Sequence, residues 1–334
     1  MNEDLKPAAL TLGDPAGIAG EITIKAWQQL KNSASRFFLV GDPSYIEQSA
    51  NSLDLDCPIA TISHPSQTGA CFSEALPILP VELNVPARAG VGDSRNSAAI
   101  TRSIEIAVEC SKSGQAAGVT TNPINKAVLY EAGFQHPGHT EYLAELAGED
   151  CTSVMMLACD ALKVVPLTLH VSLKQAIEQI DRPLLIQVIS IVHQEMKNKF
   201  GIENPRIAVS GLNPHAGEQG AMGREEIEII QPVLNDLSNQ GVDVIGPLPA
   251  DTMFHAAARE NYDVAVCMTH DQALIPIKTI AFDDGVNVTL GLPFVRTSPD
   301  HGTAFNIAGH GIAKPNSLIA AIKMAHQLHR GTQS

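Results

Sequence analysis

Three histidines follow apolar runs in the second half of the chain, and their side chains suit metal chemistry. His170 lies in LTLHVS, His215 in LNPHAGE and His270 in MTHDQ. Neutral imidazole is a common ligand for divalent metals, and three such nitrogens with open positions are typical of a catalytic metal site. A lone histidine is more often a hydrogen-bonded structural residue, so that alternative stays open for each of them. Asp251 and Asp271 are candidate carboxylates that orient a histidine or accept a proton.

The segment from Gly285 to Asn316 combines several features that a ligand-binding region needs. It reads GVNVTLGLPFVRTSPDHGTAFNIAGHGIAKPN. The alternating apolar residues predict a strand that delivers Arg296 to an anion. A Ser-Pro-Asp turn follows, and the glycine-rich loop after it is suited to wrap an adenine or a phosphate with backbone groups.

Five polar residues are candidates for holding an anionic substrate. Lys278, Asn287 and Arg296 are spaced nine residues apart, and arginine can grip a phosphate or carboxylate with two hydrogen bonds. Solvated surface charge is the alternative, and the apolar flanks of Arg296 disfavour it there. His139 and Thr140, in PGHTE, add a ring donor and a hydroxyl. A helix cap at Thr140 is the structural alternative.

Length, composition and charge exclude several classes of protein. A chain of 334 residues exceeds the size at which a single core stops growing, so two domains are expected. A net charge of -14 disfavours a nucleic-acid partner held through phosphates. There is no apolar run long enough for a membrane helix, and the acidic start does not resemble a signal peptide, so we expect a cytoplasmic protein. The six cysteines form no CxxC pair and are expected to be reduced and structural.

Strands and helices alternate along the chain, which predicts an α/β fold. A first strand at 8–12 ends in GDPAGIAGE and precedes a helix at 22–30, an arrangement that suits an anion or a cofactor. The clearest helix is predicted at 94–112. In open α/β sheets ligands bind beyond the carboxyl ends of strands, so the histidines that follow strands are expected to share one site.

Taken together, these motifs resemble a known enzyme family over nearly the whole chain. GDPAGI, PGHTE, GLNPHAGE, GPLPADT, HDQ and GVNVTLGLPFVRTSPDHGTA are jointly similar to the 4-hydroxythreonine-4-phosphate dehydrogenases of pyridoxal 5'-phosphate biosynthesis. The resemblance implies metal ligands at His170, His215 and His270. It implies substrate contacts at His139, Thr140, Lys278, Asn287 and Arg296. It also implies NAD or NADP, one divalent ion per site (zinc, magnesium or cobalt), and a homodimer whose active site draws on both subunits.

A wider similarity to isocitrate and isopropylmalate dehydrogenases implies the architecture. Two α/β/α domains with a cleft between them are expected: a discontinuous cofactor-binding domain at 1–130 plus 275–334, and a metal, substrate and dimerisation domain at 131–274. The cofactor loop of that superfamily resembles HGTAFNIAGHGIAKP, which implies cofactor contacts at His301, Gly302, Thr303 and Asn306. The chain departs from the usual pattern in these loops, since Asn306 stands where an aspartate is common.

The resemblance implies oxidation of 4-phosphooxy-L-threonine to 2-amino-3-oxo-4-phosphooxybutanoate, which then loses carbon dioxide to give 3-amino-2-oxopropyl phosphate. The proton acceptor is left open between Asp251, Asp271 and a lysine. One alternative is a catabolic relative that oxidises 4-phospho-D-threonate, 4-phospho-D-erythronate or a cyclic dihydrodiol. A phosphate acyltransferase, whose fold is similar, is the alternative from another class.

Overall fold

The computed structural model describes residues 6–136, 138–148 and 151–333. By their contacts the residues divide into two compact units. Unit 1 comprises Met1–Ser153 and Leu292–Arg330, and unit 2 comprises Val154–Gly291 and Gly331–Ser334. These bounds differ from those predicted, which were 1–130 plus 275–334 for one domain and 131–274 for the other. The functions assigned to the two domains, cofactor binding and metal and substrate binding with dimerisation, stay predictions.

Strands and helices alternate as follows. In the described residues the strands are β1 (Ala8–Thr11), β2 (Phe37–Gly41), β3 (Ile59–Thr61), β4 (Leu76–Pro80), β5 (Val119–Thr120), β6 (Val154–Cys159), β7 (Leu162–Pro166), β8 (Ile207–Ser210), β9 (Val244–Leu248), β10 (Val264–Cys267), β11 (Val286–Leu290) and β12 (Arg296–Pro299). The α-helices are α1 (Ala19–Leu30), α2 (Pro43–Ser52), α3 (Thr68–Cys71), α4 (Ser97–Lys112), α5 (Lys126–Glu131), α6 (His139–Ala147), α7 (Leu173–Gln179), α8 (Arg182–Asn198), α9 (Gln231–Asn239), α10 (Ala256–Arg259), α11 (His270–Ile280) and α12 (Asn316–Gly331).

Unit 1 is built on a parallel sheet in the order β3-β4-β2-β1-β5-β12. Its central strands are apolar along their length, as expected for strands covered on both faces. All four residues of β1 are buried, and so are all five of β2. The carboxyl ends of β1, β5 and β12 therefore meet at one edge of this sheet.

Unit 2 has a mixed sheet in the order β11-β6-β7-β10-β8-β9. The β11-β6 and β6-β7 pairs are antiparallel, whereas the β7-β10, β10-β8 and β8-β9 pairs are parallel. The loops after β7, β10 and β8, which carry the three histidines, consequently leave the same edge of the sheet.

The predicted α/β class is confirmed, and most predicted elements are present with shifted ends. The helix predicted at 94–112 begins as a 3-10 turn, and Asp93 accepts a hydrogen bond from the backbone N–H of Arg95 before α4 starts at Ser97. The single strand predicted ahead of Arg296 is wrong. The strand formed by the alternating segment, β11, ends at Leu290, and Arg296 opens a separate strand, β12. Ser298 and Pro299 belong to β12, so the turn predicted at these two residues is also wrong.

None of the helices in the described ranges combines the length and the apolar character needed to span a membrane.

Helix α12 buries a titratable side chain that links stability to pH. His326 is 2% exposed, and its Nε2 lies 2.9 Å from the carbonyl oxygen of Arg36, to which it donates when neutral. Burial lowers the pKa of His326 to about 4. Between about pH 6.5 and pH 4, His326 is protonated in the unfolded chain but stays neutral in the folded chain. The contribution of His326 to the free energy of unfolding is therefore fully present above about pH 6.5 and is lost as the pH falls towards 4.

We expect the free energy of unfolding to be lower at pH 4 than at pH 7 by about 3 kcal/mol because of His326 alone. His326→Gln keeps an N–H donor for Arg36 but does not titrate, so this variant should lose less stability between the two pH values. Urea unfolding at both pH values measures the difference. Equal losses in the variant and the parent protein would contradict the assignment.

Candidate active site

Two of the three histidines lie together at the sheet edge of unit 2. The ring centroids of His170 and His270 are 5.8 Å apart. His170 follows β7 and is exposed, with a left-handed backbone (φ 49°). His270 follows β10 and begins α11. Left-handed φ is uncommon in residues other than glycine and clusters at functional sites, so the backbone of His170 is consistent with a functional position.

Asp271 orients the ring of His270. Its Oδ1 lies 2.8 Å from Nδ1 of His270. When Nδ1 carries the proton and donates to this carboxylate, Nε2 keeps its lone pair for a metal ion, which is the usual arrangement of metal-binding histidines. The geometry thus gives Asp271 a positioning contact. Asp251 lies on an exposed turn after β9, and its assignment as a proton acceptor stays a prediction.

His215 lies in the loop after β8, where residues 215–219 all have positive φ. Within the described ranges, no group of three His, Cys, Asp or Glu side chains is arranged to hold a metal ion. The donor set nevertheless fits a divalent ion in two respects: the rings of His170 and His270 are neighbours, and Asp271 leaves Nε2 of His270 available. Of the three predicted metal ligands, the structure therefore brings two side by side, His170 and His270.

Lys278 and Asn287 also belong to unit 2. Lys278 lies in the last turn of α11 and is half-buried. Asn287 lies in β11, and its Oδ1 is buried without a hydrogen-bond partner among the described groups. A buried amide oxygen that lacks a partner is costly, and a ligand donor is one way to satisfy it.

Arg296 is the most buried cation of the candidate site. It opens β12 of unit 1, is 3% exposed, and donates from Nη2 to Oγ1 of Thr121 at 2.8 Å. Burial lowers the pKa of Arg296 to about 10, so its guanidinium remains protonated at neutral pH. A protonated guanidinium held in a buried position is a strong anion-binding group once an anion offsets its desolvation.

His139 and Thr140 form the first turn of α6. Gly138 occupies the N-cap position and no side chain caps this helix, so the alternative of a cap at Thr140 is wrong. Nε2 of His139 is buried and has no hydrogen-bond partner among the described groups. Burial, Arg296 and Lys126 hold the pKa of His139 well below its usual value, so the ring is neutral at pH 7.

The first loop of the chain packs directly against the predicted cofactor loop. Ile18 donates its backbone N–H to the carbonyl oxygen of Thr303 at 3.0 Å, and a methyl group on Gly17 would lie 2.6 Å from that oxygen. Glycine at position 17 therefore permits the close approach. His301, Gly302 and Asn306 lie in the same loop, and Nε2 of His301 is buried without a partner among the described groups.

Two residues that the sequence analysis missed fix the far end of the cofactor loop. Glu21 accepts a hydrogen bond from the backbone N–H of Ala313 at 2.7 Å. Lys25 donates from Nζ to the carbonyl oxygens of Gly311 and Ala313 and to Glu21. The EITIK spacing of Glu21 and Lys25 predicts an ion pair along α1 but not its contact with a loop almost 300 residues later.

Beside these loops unit 1 has a cavity of about 340 Å³. Its lining includes Gly17 from the first loop, Glu21 from α1, Gly309 from the cofactor loop and Arg88. Small-molecule sites are concave and often lie beyond the carboxyl ends of parallel strands, and Pro15 and Gly17 of this lining follow β1.

The chain is similar to proteins of one family along almost its whole length. A family model described as "Pyridoxal phosphate biosynthetic protein PdxA" matches residues 33–325. A 4-hydroxythreonine-4-phosphate dehydrogenase of Methylorubrum extorquens is 52% identical, with 99% of this chain and 97% of the relative covered. One from Bradyrhizobium diazoefficiens is 53% identical, with 98% of each chain covered.

A solved structure agrees with this similarity. The 4-hydroxythreonine-4-phosphate dehydrogenase of Klebsiella pneumoniae superposes with a TM-score of 0.88 at 37% identity, over 98% of this chain and 99% of that chain. The family resemblance inferred from the motifs is therefore confirmed. The chain belongs to the PdxA family of pyridoxal phosphate biosynthetic proteins.

Proposed function

We propose that this protein is an NAD(P)-dependent and divalent-metal-dependent dehydrogenase that oxidises 4-phosphooxy-L-threonine in pyridoxal 5'-phosphate biosynthesis. The observation that carries the proposal is the near full-length identity of about 50% to relatives named 4-hydroxythreonine-4-phosphate dehydrogenase. The arrangement of basic and imidazole side chains at the two sheet edges supports it. Membership of the PdxA family favours this activity over the alternative of a phosphate acyltransferase.

The reaction removes a hydride and a proton from a secondary alcohol. The product, 2-amino-3-oxo-4-phosphooxybutanoate, is a β-keto acid that loses carbon dioxide to give 3-amino-2-oxopropyl phosphate. A divalent ion, when bound, supplies Lewis acidity at the hydroxyl, and NAD or NADP accepts the hydride. His170 and His270, with His215, would hold the ion. The family resemblance implies zinc, magnesium or cobalt; imidazole donors suit zinc and cobalt, whereas magnesium prefers oxygen ligands.

The side chains then have distinct tasks. Asp271 holds the Nδ1–H tautomer of His270 through their 2.8 Å contact. The hydroxyl proton passes to Asp251, to Asp271 or to a lysine. In unit 1, Arg296, His139 and Thr140 bind an anionic end of the substrate. In unit 2, Lys278 and Asn287 contribute a cation and an amide.

The cofactor is assigned to unit 1. His301, Gly302, Thr303 and Asn306 lie in the loop that packs on Gly17 and Glu21, and the cavity of about 340 Å³ beside it is suited to part of a dinucleotide. Glycine-rich backbone at a strand-to-helix turn allows close approach of a pyrophosphate. We further propose a homodimer whose active site draws on both subunits.

A catabolic relative acting on 4-phospho-D-threonate or 4-phospho-D-erythronate is the second candidate. It would use the same histidines and the same buried Arg296, because these substrates also carry a phosphate and a secondary hydroxyl. The buried guanidinium favours either phosphorylated substrate over a cyclic dihydrodiol that has no anionic group.

Absorbance at 340 nm tests the proposal. The protein is incubated with 4-phosphooxy-L-threonine, a divalent ion, and NAD or NADP, and the assay is repeated after EDTA treatment. We expect reduction that disappears with EDTA and returns with added metal. Reduction only with 4-phospho-D-threonate or 4-phospho-D-erythronate would move the protein to the catabolic branch, and undiminished activity in EDTA would contradict the metal requirement.

A further inference from the structure

Lys126, the first residue of α5, lies against the start of α6. A methyl group on Gly138 would lie 3.1 Å from Cε and 3.2 Å from Nζ of this lysine. Gly138 directly precedes His139, so the ammonium group of Lys126 is beside the first turn of α6. Burial, Arg296 and Lys126 all lower the pKa of His139, so both cations lie within electrostatic range of its ring.

A carboxylate shares this region and changes its charge balance. Oε2 of Glu141 would lie 3.3 Å from the same methyl position on Gly138, and the carboxylate acts electrostatically on Arg296. The formal charges of Arg296 and Glu141 cancel, and the neutral ring of His139 adds none. Lys126 therefore decides whether the group formed by Lys126, His139, Glu141 and Arg296 attracts an anion.

Lys126 has no other evident structural task. Among the residues that the structure describes, its ammonium group forms no ion pair or hydrogen bond, although Glu141 is close. Lys126 is exposed, and its Cε and Nζ lie close to Gly138, so its ammonium group can reach a ligand bound at the start of α6.

We propose that Lys126 is a further substrate-binding residue and that Lys126, Arg296 and Nε2 of His139 together hold the phosphate group of the substrate. This inference rests on the proposed function, because it assigns the phosphate end of that substrate to unit 1. The resemblance that identified His139, Thr140 and Arg296 does not include Lys126.

A phosphate suits this group better than a carboxylate does. A phosphate monoester carries between one and two negative charges at neutral pH and three acceptor oxygens. Arg296 offers a planar pair of donors, and Lys126 offers a point charge from another direction. The backbone N–H groups of the first turn of α6, a helix of nine residues, add the positive end of the helix dipole.

The test compares Lys126→Met with Lys126→Arg and a matched control, Lys323→Met. Lys323 is an exposed lysine of α12 in the same unit, outside the site. Calorimetric titration with inorganic phosphate measures anion binding without any catalysis. Reduction of NAD at 340 nm is then measured with 4-phosphooxy-L-threonine and with 4-hydroxy-L-threonine, which lacks the phosphate. Circular dichroism checks that each variant is folded.

We expect Lys126→Met to weaken phosphate binding and to lower kcat/KM for the phosphorylated substrate by about 10- to 100-fold, the value of a charge-assisted hydrogen bond. Its kcat/KM for 4-hydroxy-L-threonine should be unchanged, Lys126→Arg should recover part of the loss, and Lys323→Met should match the parent protein.

Equal losses on both substrates would overturn the phosphate assignment, and so would a Lys126→Met variant that behaves like Lys323→Met. The proposed function fails separately. If the protein oxidises neither substrate but binds phosphate in a Lys126-dependent way, the inference about the anion site stands and the proposed reaction does not.

Discussion

Replacing His170 by alanine is expected to lower kcat by about a thousandfold or more, because a metal ion contributes several kcal/mol to stabilising the developing charge. His170 is exposed and its ring lies 5.8 Å from that of His270, so the substitution removes a donor without opening the core. His170 has a left-handed backbone, which alanine adopts less readily than histidine, so a small loss of stability is expected. The main loss should appear in activity and metal content.

The measurement pairs steady-state kinetics with elemental analysis of the purified protein. His193→Gln is the matched control, since His193 is a partly exposed histidine of α8 in the same unit. We expect the control to keep both metal and activity, and His170→Ala to lose both. Normal turnover in His170→Ala would refute the metal assignment, whereas lost turnover with full metal content would make His170 a catalytic group that is not a ligand.

The architecture was largely readable from the sequence because its signals are local. Continuous apolar runs predicted the buried strands β1 and β2, and apolar residues at helical spacing predicted α4, whose Ile100 and Ile104 are each 1% exposed. The error at Arg296 has a physical cause. Leu292 and Phe294 continue the alternation of β11 and are buried, so periodicity alone does not show that the strand stops at Leu290.

The site was predictable only in part because its contacts are nonlocal. The order β7-β10-β8 explains why histidines far apart in sequence leave one sheet edge, and the rule on strand ends anticipated this. The gathering of His170 with His270, but not of His215, depends on loop conformations that include five successive positive φ values. Lys126 was missed because only folding brings it close to Gly138, and no local sequence pattern predicts that contact.

Replacing Arg296 by methionine is expected to raise KM for the phosphorylated substrate by about 100-fold or more, with a smaller effect on kcat. The guanidinium is 3% exposed and its pKa is lowered to about 10 by burial, so it is a desolvated cation that binds an anion with little competition from water. Methionine fills much of the same volume. The free energy of unfolding should therefore change little, because an apolar side chain removes the cost of burying the charge.

Arg296→Lys separates the effect of the charge from that of the hydrogen-bond geometry, since it keeps the charge but loses the planar pair of donors. It should recover only part of the affinity, because lysine cannot bind an anion with two parallel hydrogen bonds. Arg102→Met, which removes an exposed arginine of α4 that pairs with Glu105, is the matched control and should leave KM unchanged. Kinetics over a range of substrate concentrations, with urea unfolding of each variant, separate binding from stability. A fall in kcat at constant KM in Arg296→Met would show that the guanidinium acts on the transition state, and the anion-anchoring role assigned to it would then be wrong.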